Sequence, residues 1–164
     1  MPKIGLLSDS HGQVVATRAA IRTLMDAGAD LILHMGDIGS EQVLDELIYD
    51  LPVHVVFGNT DWDWEPLGKY AGHLGLIVNH PVGRLEIDGR VVVFQHGHDH
   101  AAMSAALAQQ VAYLCHGHTH MKRDEQIGMT RIINPGALQR AREYTVAMLD
   151  TQQDQVTFYP IDQG

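Results

Sequence analysis

The sequence holds one cysteine, Cys115, in 164 residues, so no internal disulfide can form and packing must hold the fold. Its neighbours Tyr113 and Leu114 place it in a buried strand, with no catalytic role. Basic residues are scarce too: 11 Lys and Arg stand against 20 Asp and Glu, for a net charge of −9. Binding to long nucleic acid rests on clustered cations along the phosphate backbone, so this balance argues against it. No apolar stretch approaches the ~20 residues that span a bilayer, so no membrane partner is expected. The segment from Met1 to Leu7 passes at once into a strand pattern followed by Asp9, without the apolar core and cleavage site of a signal peptide. A cytoplasmic protein is the expectation.

What is present fits a soluble globular chain: 45% hydrophobic and 19% charged residues over a length that is common for one domain. Lys3 to Ser8 reads as a buried strand. Val14 to Gly28 reads as a helix with Thr17, Ile21, Leu24 and Met25 on one face and Gly28 ending it. Asp30 to Met35 is a second strand, Ser40 caps a helix that turns Val43, Leu44, Leu47 and Ile48 inward, and Val53 to Phe57 is a third strand. This alternation predicts a parallel sheet, whose ligands gather at the carboxyl ends of the strands. Beyond Asp61 the pattern changes. Gly83 to Ile87 and Arg90 to Gln95 flank Asp88-Gly89, a strong hairpin signal. A helix over Asp99 to Gln110 with Met103, Ala106, Leu107 and Val111 inward precedes a short strand delivering His116 to His120. Arg131 to Ile133, Tyr144 to Leu149 and Val156 to Ile161 read as strands, with Asn134-Pro135-Gly136 as a turn. The parallel and the more antiparallel halves are expected to pack into one sandwich.

Five short polar clusters, each after an apolar run, carry the chemistry. They are Asp9-Ser10-His11, Gly36-Asp37, Gly58-Asn59-Thr60-Asp61, His96-Gly97-His98 and Gly117-His118-Thr119-His120. Carboxylate, imidazole and amide oxygen together suit divalent transition metals, whereas magnesium and calcium prefer oxygen-only shells. Residues two apart on an extended segment share a direction, so Asp9 with His11, and His118 with His120, can each converge on a metal pair. Asp37 is a natural bridging carboxylate. Two divalent ions set against two carboxylates and a bridging hydroxide leave about one positive charge, which a phosphodiester monoanion would neutralise.

From about residue 4 to 160 these motifs, in their order, resemble those of the calcineurin-like metallophosphoesterases, in particular their small bacterial and archaeal phosphodiesterases. Asn134-Pro135-Gly136 and the strand from Tyr144 to Leu149 add to the likeness. The resemblance implies a four-layer α-β-β-α sandwich of two mixed sheets flanked by helices. It implies that Asp9, His11, Asp37 and His120 hold one metal and Asp37, Asn59, His96 and His118 the other. Manganese is the expected ion, with zinc, iron, nickel and cobalt as alternatives. The implied reaction is hydrolysis of a small phosphate ester by a metal-bridging hydroxide, and a homodimer is an open expectation. A non-catalytic, metal-binding protein-interaction scaffold of the same fold, as in the phosphoesterase-like subunit of the retromer coat, is the alternative.

Many family members carry histidine directly after the motif asparagine, where it protonates the leaving group; this chain has Thr60, too weak an acid for that task. His98 or a metal-bound water is then the expected donor, which places His98 beside Asp37 and Asn59 as a catalytic candidate. Asp61 is expected to lie behind the metal ligands at most. Of the remaining histidines, His34 and His116 adjoin the motifs as possible supports, although packing is the stronger expectation. Trp62 and Trp64 are expected to pack within their loop, and Arg140 and Arg142 to face water.

Overall fold

The computed structural model describes residues 2–162. Two sheets and their helices form four layers. The first sheet runs in the order β11-β10-β1-β2-β3-β4 and the second in the order β5-β6-β7-β9-β8.

In the first sheet β1 (Lys3–Leu7), β2 (Leu31–His34), β3 (Val53–Val55) and the short β4 (Ile77–Val78) are parallel. The helices α1 (Val14–Asp26), α2 (Glu41–Asp45) and α3 (Trp64–His73) supply the crossovers. On the far side β10 (Tyr144–Asp150) pairs antiparallel with β1, and β11 (Gln155–Ile161) antiparallel with β10. The second sheet begins with the expected hairpin, β5 (Val82–Ile87) and β6 (Arg90–Gln95). Then α4 (His100–Ala108) leads to β7 (Tyr113–Cys115), parallel to β6, and β8 (Arg123–Ile127) pairs antiparallel with β9 (Thr130–Asn134).

Strand alternation sorts the core into layers. Ile4 and Leu6 of β1 meet Val92, Phe94, Tyr113 and Cys115 between the sheets. Leu7 faces the other way, onto Ile21 and Leu24 of α1 and Val43 and Leu44 of α2. Val93, Leu114 and Ile132 pack under Ala106 of α4. Each fully buried aliphatic side chain stabilises the fold by roughly 1.5–3 kcal/mol. The sandwich is therefore a rigid platform for loops.

Several expected boundaries shift. Helix α1 stops at Asp26, two residues short of the expected span, and Gly28, at φ +91° directly after the Ala27 cap, ends it as expected. Helix α2 has one short turn and a half, so Ile48 falls outside it and is 49% exposed rather than inward. Asp99 is the cap of α4, accepting from the N–H groups of Ala101 and Ala102, and not its first turn. The sequence pattern missed α3, β4 and β8 altogether. Among the described residues no helix is long and apolar enough to cross a membrane.

Candidate metal centre

Every donor expected from the sequence sits just past the carboxyl end of a strand. Asp9 and His11 follow β1, Asp37 follows β2, Asn59 follows β3, His96 follows β6, and His118 and His120 follow β7. Loops from both sheets therefore meet at one edge of the sandwich, where parallel strands gather ligands.

The donors converge closely. His11 Nε2 lies 3.6 Å from Asp9 Oδ1 and 3.4 Å from Asp37 Oδ2, and His120 Nε2 lies 3.4 Å from Asp9 Oδ1. The Nε2 atoms of His11 and His120 are 3.2 Å apart. On the other side His96 Nε2 stands 3.2 Å from Asp37 Oδ2. Two donor triads result: Asp9, His11 and His120, and Asp9, Asp37 and His96, each with its ligand atoms within 4.8 Å of one another. Asp9 belongs to both, and Asp37 reaches His11 as well as His96. The expected shared carboxylate thus has a partner in Asp9.

His118 and Asn59 stand further out. The His118 ring centroid is 5.1 Å from that of His96 and 6.2 Å from that of His98, and the residue is exposed at the mouth of the centre. Asn59 and Thr60 are exposed as well. The Thr60 backbone N–H donates to Asp37 Oδ1 at 3.0 Å, so its loop supports the carboxylate through the main chain.

Behind the donors lies a set of hydrogen bonds that fixes their aim. His96 Nδ1 bonds the Met35 carbonyl at 2.8 Å and His120 Nδ1 the Gln139 carbonyl at 2.7 Å, which turns each Nε2 lone pair toward the centre. Asp9 Oδ2 accepts from Ser8 Oγ at 2.7 Å and from the His118 N–H at 3.0 Å, leaving Oδ1 for the cluster. His34, fully buried, accepts the Gly36 N–H on Nδ1 at 3.1 Å and so carries its proton on Nε2, which donates to Ser10 Oγ at 2.7 Å. Burial lowers its pKa to about 4. His116 likewise bonds the Gly117 carbonyl and meets Arg123 Nη1. Both histidines adjoining the motifs are therefore supports of the ligand loops.

Asp61 does more than its sequence position promised. Buried, it accepts the N–H of Ile38 at 2.9 Å, of Gly58 at 3.0 Å and of Gly39 at 3.0 Å, stitching the loop after β2 to the loop after β3. Asn134 does the same for the histidine loop, donating to the Gly117 carbonyl and Thr119 Oγ1 and accepting from the Gly136 N–H. All but one of their partners are backbone groups, which carry no residue signature.

The backbone at the donors is strained. Asp9, His11, Asp37, His118 and His120 all have φ between +44° and +74°, a left-handed region that costs a non-glycine residue about 1 kcal/mol or more. This corrects the extended geometry assumed from spacing: the side chains converge from loops whose backbone is left-handed at each of these donors. Two glycines permit the approach. A Cβ on Gly58 would lie 2.0 Å from Asp37 Oδ1, and one on Gly117 2.0 Å from Ser8 Oγ.

The electrostatics follow from this crowding. Burial pushes the Asp37 carboxyl pKa upward, but the His96 imidazole and the Thr60 contacts outweigh it and hold the group well below the ordinary carboxylate range. Burial works against a charged His96, yet Asp37 and Asp9 outweigh it and raise its pKa. Asp9 Oδ1 and His96 Nε2, both buried, have no hydrogen-bond partner among the described residues. An orphaned buried carboxylate oxygen costs several kcal/mol unless a cation meets it. The donor set of carboxylate and imidazole suits a divalent transition metal. The residues present fit such an ion.

A sequence profile of the calcineurin-like phosphoesterase superfamily domain matches residues 2–154. The chain belongs to this superfamily. Calcineurin-like phosphoesterases are hydrolases of phosphate esters, and the two donor triads of this one could each hold a divalent ion. Phosphodiesterase MJ0936 of Methanocaldococcus jannaschii is 27% identical over 139 residues, covering 82% of each chain. The probable metallophosphoesterase YsnB of Bacillus subtilis is 28% identical over 94% of this chain and 88% of its own. Among solved structures, a novel archaeal phosphodiesterase superposes with a TM-score of 0.88 at 25% identity, over 96% of this chain and 99% of its own. Vps29 of Entamoeba histolytica shares the fold alone, at a TM-score of 0.66 and 17% identity over 98% of this chain and 99% of its own.

The two tryptophans separate. Trp64, at the start of α3, stacks on Phe57 at 5.9 Å and meets His80 in a tilted contact at 4.4 Å between ring centroids, and so packs as expected. Trp62 does not pack; it is 85% exposed.

Proposed function

We propose that this calcineurin-like phosphoesterase is a dinuclear phosphodiesterase acting on small phosphate diesters in the cytoplasm, as a single catalytic domain that functions alone or as a homodimer. The observation that carries the reading is Asp9 shared between two donor triads, with Asp37 reaching both histidine sides. Asp9, His11, Asp37 and His120 would hold one ion; Asp37, His96, Asn59 and His118, with Asp9 alongside, would hold the other. Divalent ions in such a site, manganese being the one we favour, lower the pKa of bound water, orient a phosphate and offset its charge.

The chain's own residues do the rest. The Met35 and Gln139 carbonyls keep the imidazoles of His96 and His120 in the ligand tautomer. Asn59, exposed beside the cluster, offers an amide to a phosphoryl oxygen. Thr60 is too weak an acid to protonate a leaving alkoxide. We favour His98, whose exposed ring lies 5.5 Å from that of His96, as the proton donor. The diester preference is supported by relatives named as phosphodiesterases. A metal-binding scaffold would use the same donors, but the relatives named as phosphodiesterases weigh against that role, so we do not favour it.

Hydrolysis of bis(p-nitrophenyl) phosphate by metal-stripped protein, with Mn, Zn, Ni, Fe(II) or Mg added back beside an Asp37→Asn control, tests the reading. Metal-dependent turnover that vanishes in the control is expected. No turnover with any ion, despite metal binding, would overturn it.

A further inference from the structure

Beside the metal centre opens a cleft of about 670 Å³ that shares one wall with it, His120, and is lined by Lys122, Arg140, Arg142 and Glu143 among others. Three cations meet there in a chain that has only 11 Lys and Arg in all. Arg140 and Arg142 have no acidic or hydrogen-bonding partner among the described residues, whereas Arg18, Arg123 and Arg131 each hold a carboxylate. Lys122 has Glu143 at 3.4 Å, a weak surface pair. The cleft therefore keeps a local positive charge against the net charge of the whole molecule.

The arginine loop is also mechanically tied to the metal centre. The Gln139 carbonyl that orients His120 lies one residue before Arg140. Arg140 itself has φ +50°, a conformation a non-glycine residue adopts at a cost that functional sites tolerate. Asn134 and Thr145 pin the segment from below, through bonds to Gly136 N–H and the Pro135 carbonyl. A guanidinium fork is the side chain best matched to a phosphate, which it can grip with two parallel hydrogen bonds.

We propose that this cleft is a second phosphate subsite: the substrate is a phosphate ester carrying a further phosphoryl group, which Arg140 and Arg142 bind with help from Lys122 while the scissile phosphate lies at the metals. The proposal rests on the phosphodiesterase reading and deepens it by naming the substrate class. It separates substrates by charge away from the bond that breaks. Simple diesters would be cleaved, but slowly for want of an anchor.

Thymidine 5′-(p-nitrophenyl phosphate), with and without a 3′-phosphate, tests this, since both esters release the same chromophore and the nucleoside serves only as a spacer. In the native enzyme the 3′-phosphate should raise kcat/KM about tenfold, mainly through KM, as a charge-assisted pair implies. In Arg140→Gln/Arg142→Gln that ratio should fall to about one, while in Arg22→Gln, a charge lost from α1, it should persist. A ratio near one in the native enzyme, or a ratio that survives the double substitution, overturns the subsite. Calorimetric titration of thymidine 3′,5′-bisphosphate against thymidine 5′-monophosphate into Mn-loaded protein separates the two readings. Preferential bisphosphate binding that the double variant loses, without turnover of either ester, would uphold the subsite and sink the hydrolase. Turnover without any bisphosphate preference would do the reverse.

Discussion

The His118 backbone N–H donates to Asp9 Oδ2 at 3.0 Å across 109 residues of sequence, joining the ligand loop of one sheet to that of the other. The contact exists because Gly117 lets the histidine loop lie against Ser8 and Asp9, where a Cβ would come within 2.5 Å of that same oxygen. Gly117→Ala should therefore separate the loops. We expect a loss of about 1–3 kcal/mol in denaturant unfolding and at least a tenfold loss of metal affinity by calorimetry, as for disturbed ligand supports elsewhere. An alanine variant with native affinity would show that this approach does not shape the centre.

Asp61 holds three backbone N–H groups in a buried position. Asp61→Ala leaves all three without a partner, at a cost of roughly 3 kcal/mol or more. For a chain of this size that corresponds to a drop in Tm of about 6–12 °C. Calorimetric melting checks it; a Tm within a degree of the native value would mean that water replaces the carboxylate without penalty.

Metal addition should stabilise the fold, since the orphaned Asp9 Oδ1 and His96 Nε2 gain a partner. A ligand at a hundred times its Kd adds about 2.7 kcal/mol. The native protein should thus melt about 5–10 °C higher with saturating Mn, and Asp37→Asn should lose most of that gain.

His34 makes stability depend on pH. Burial holds its pKa at about 4 in the folded chain, against about 6.5 when unfolded. Between those values the unfolded chain binds a proton that the folded chain does not, so stability is full above about pH 6.5, falls as pH drops toward 4, and then levels off. The loss from this residue is on the order of 3 kcal/mol. The unfolding free energy of His34→Gln should fall less steeply with acid across that window, and parallel curves for the two proteins would contradict the assignment.

The layered fold was legible because its signals are local and repeated. Ile4 and Leu6 alternate with Leu7 along β1, and Asp88-Gly89 marks the hairpin of β5 and β6. Helix α3 was hidden because Pro66, Gly68 and Gly72 interrupt it and only Ala71 is buried; its proline lies in the first turn, where no N–H partner is lost. Strand β8 is a charged, exposed edge without apolar alternation. The donors themselves could be named from residue type and order. Their geometry could not, because the left-handed turns at Asp9, His11, Asp37, His118 and His120 are imposed by loops that meet only in the folded chain. Asp61 and Asn134 were noted in the sequence, but which loops they tie together was not legible, because several of their partners lie far away along the chain.

Two ions sharing one carboxylate-bridged centre, as proposed above, would be seen in the electron paramagnetic resonance spectrum of protein loaded with Mn(II). Two Mn per chain are expected at saturation, with a spectrum broadened by exchange between neighbouring ions and loss of that coupling in Asp37→Asn. An isolated six-line signal at one Mn per chain, unchanged by further metal, would contradict it.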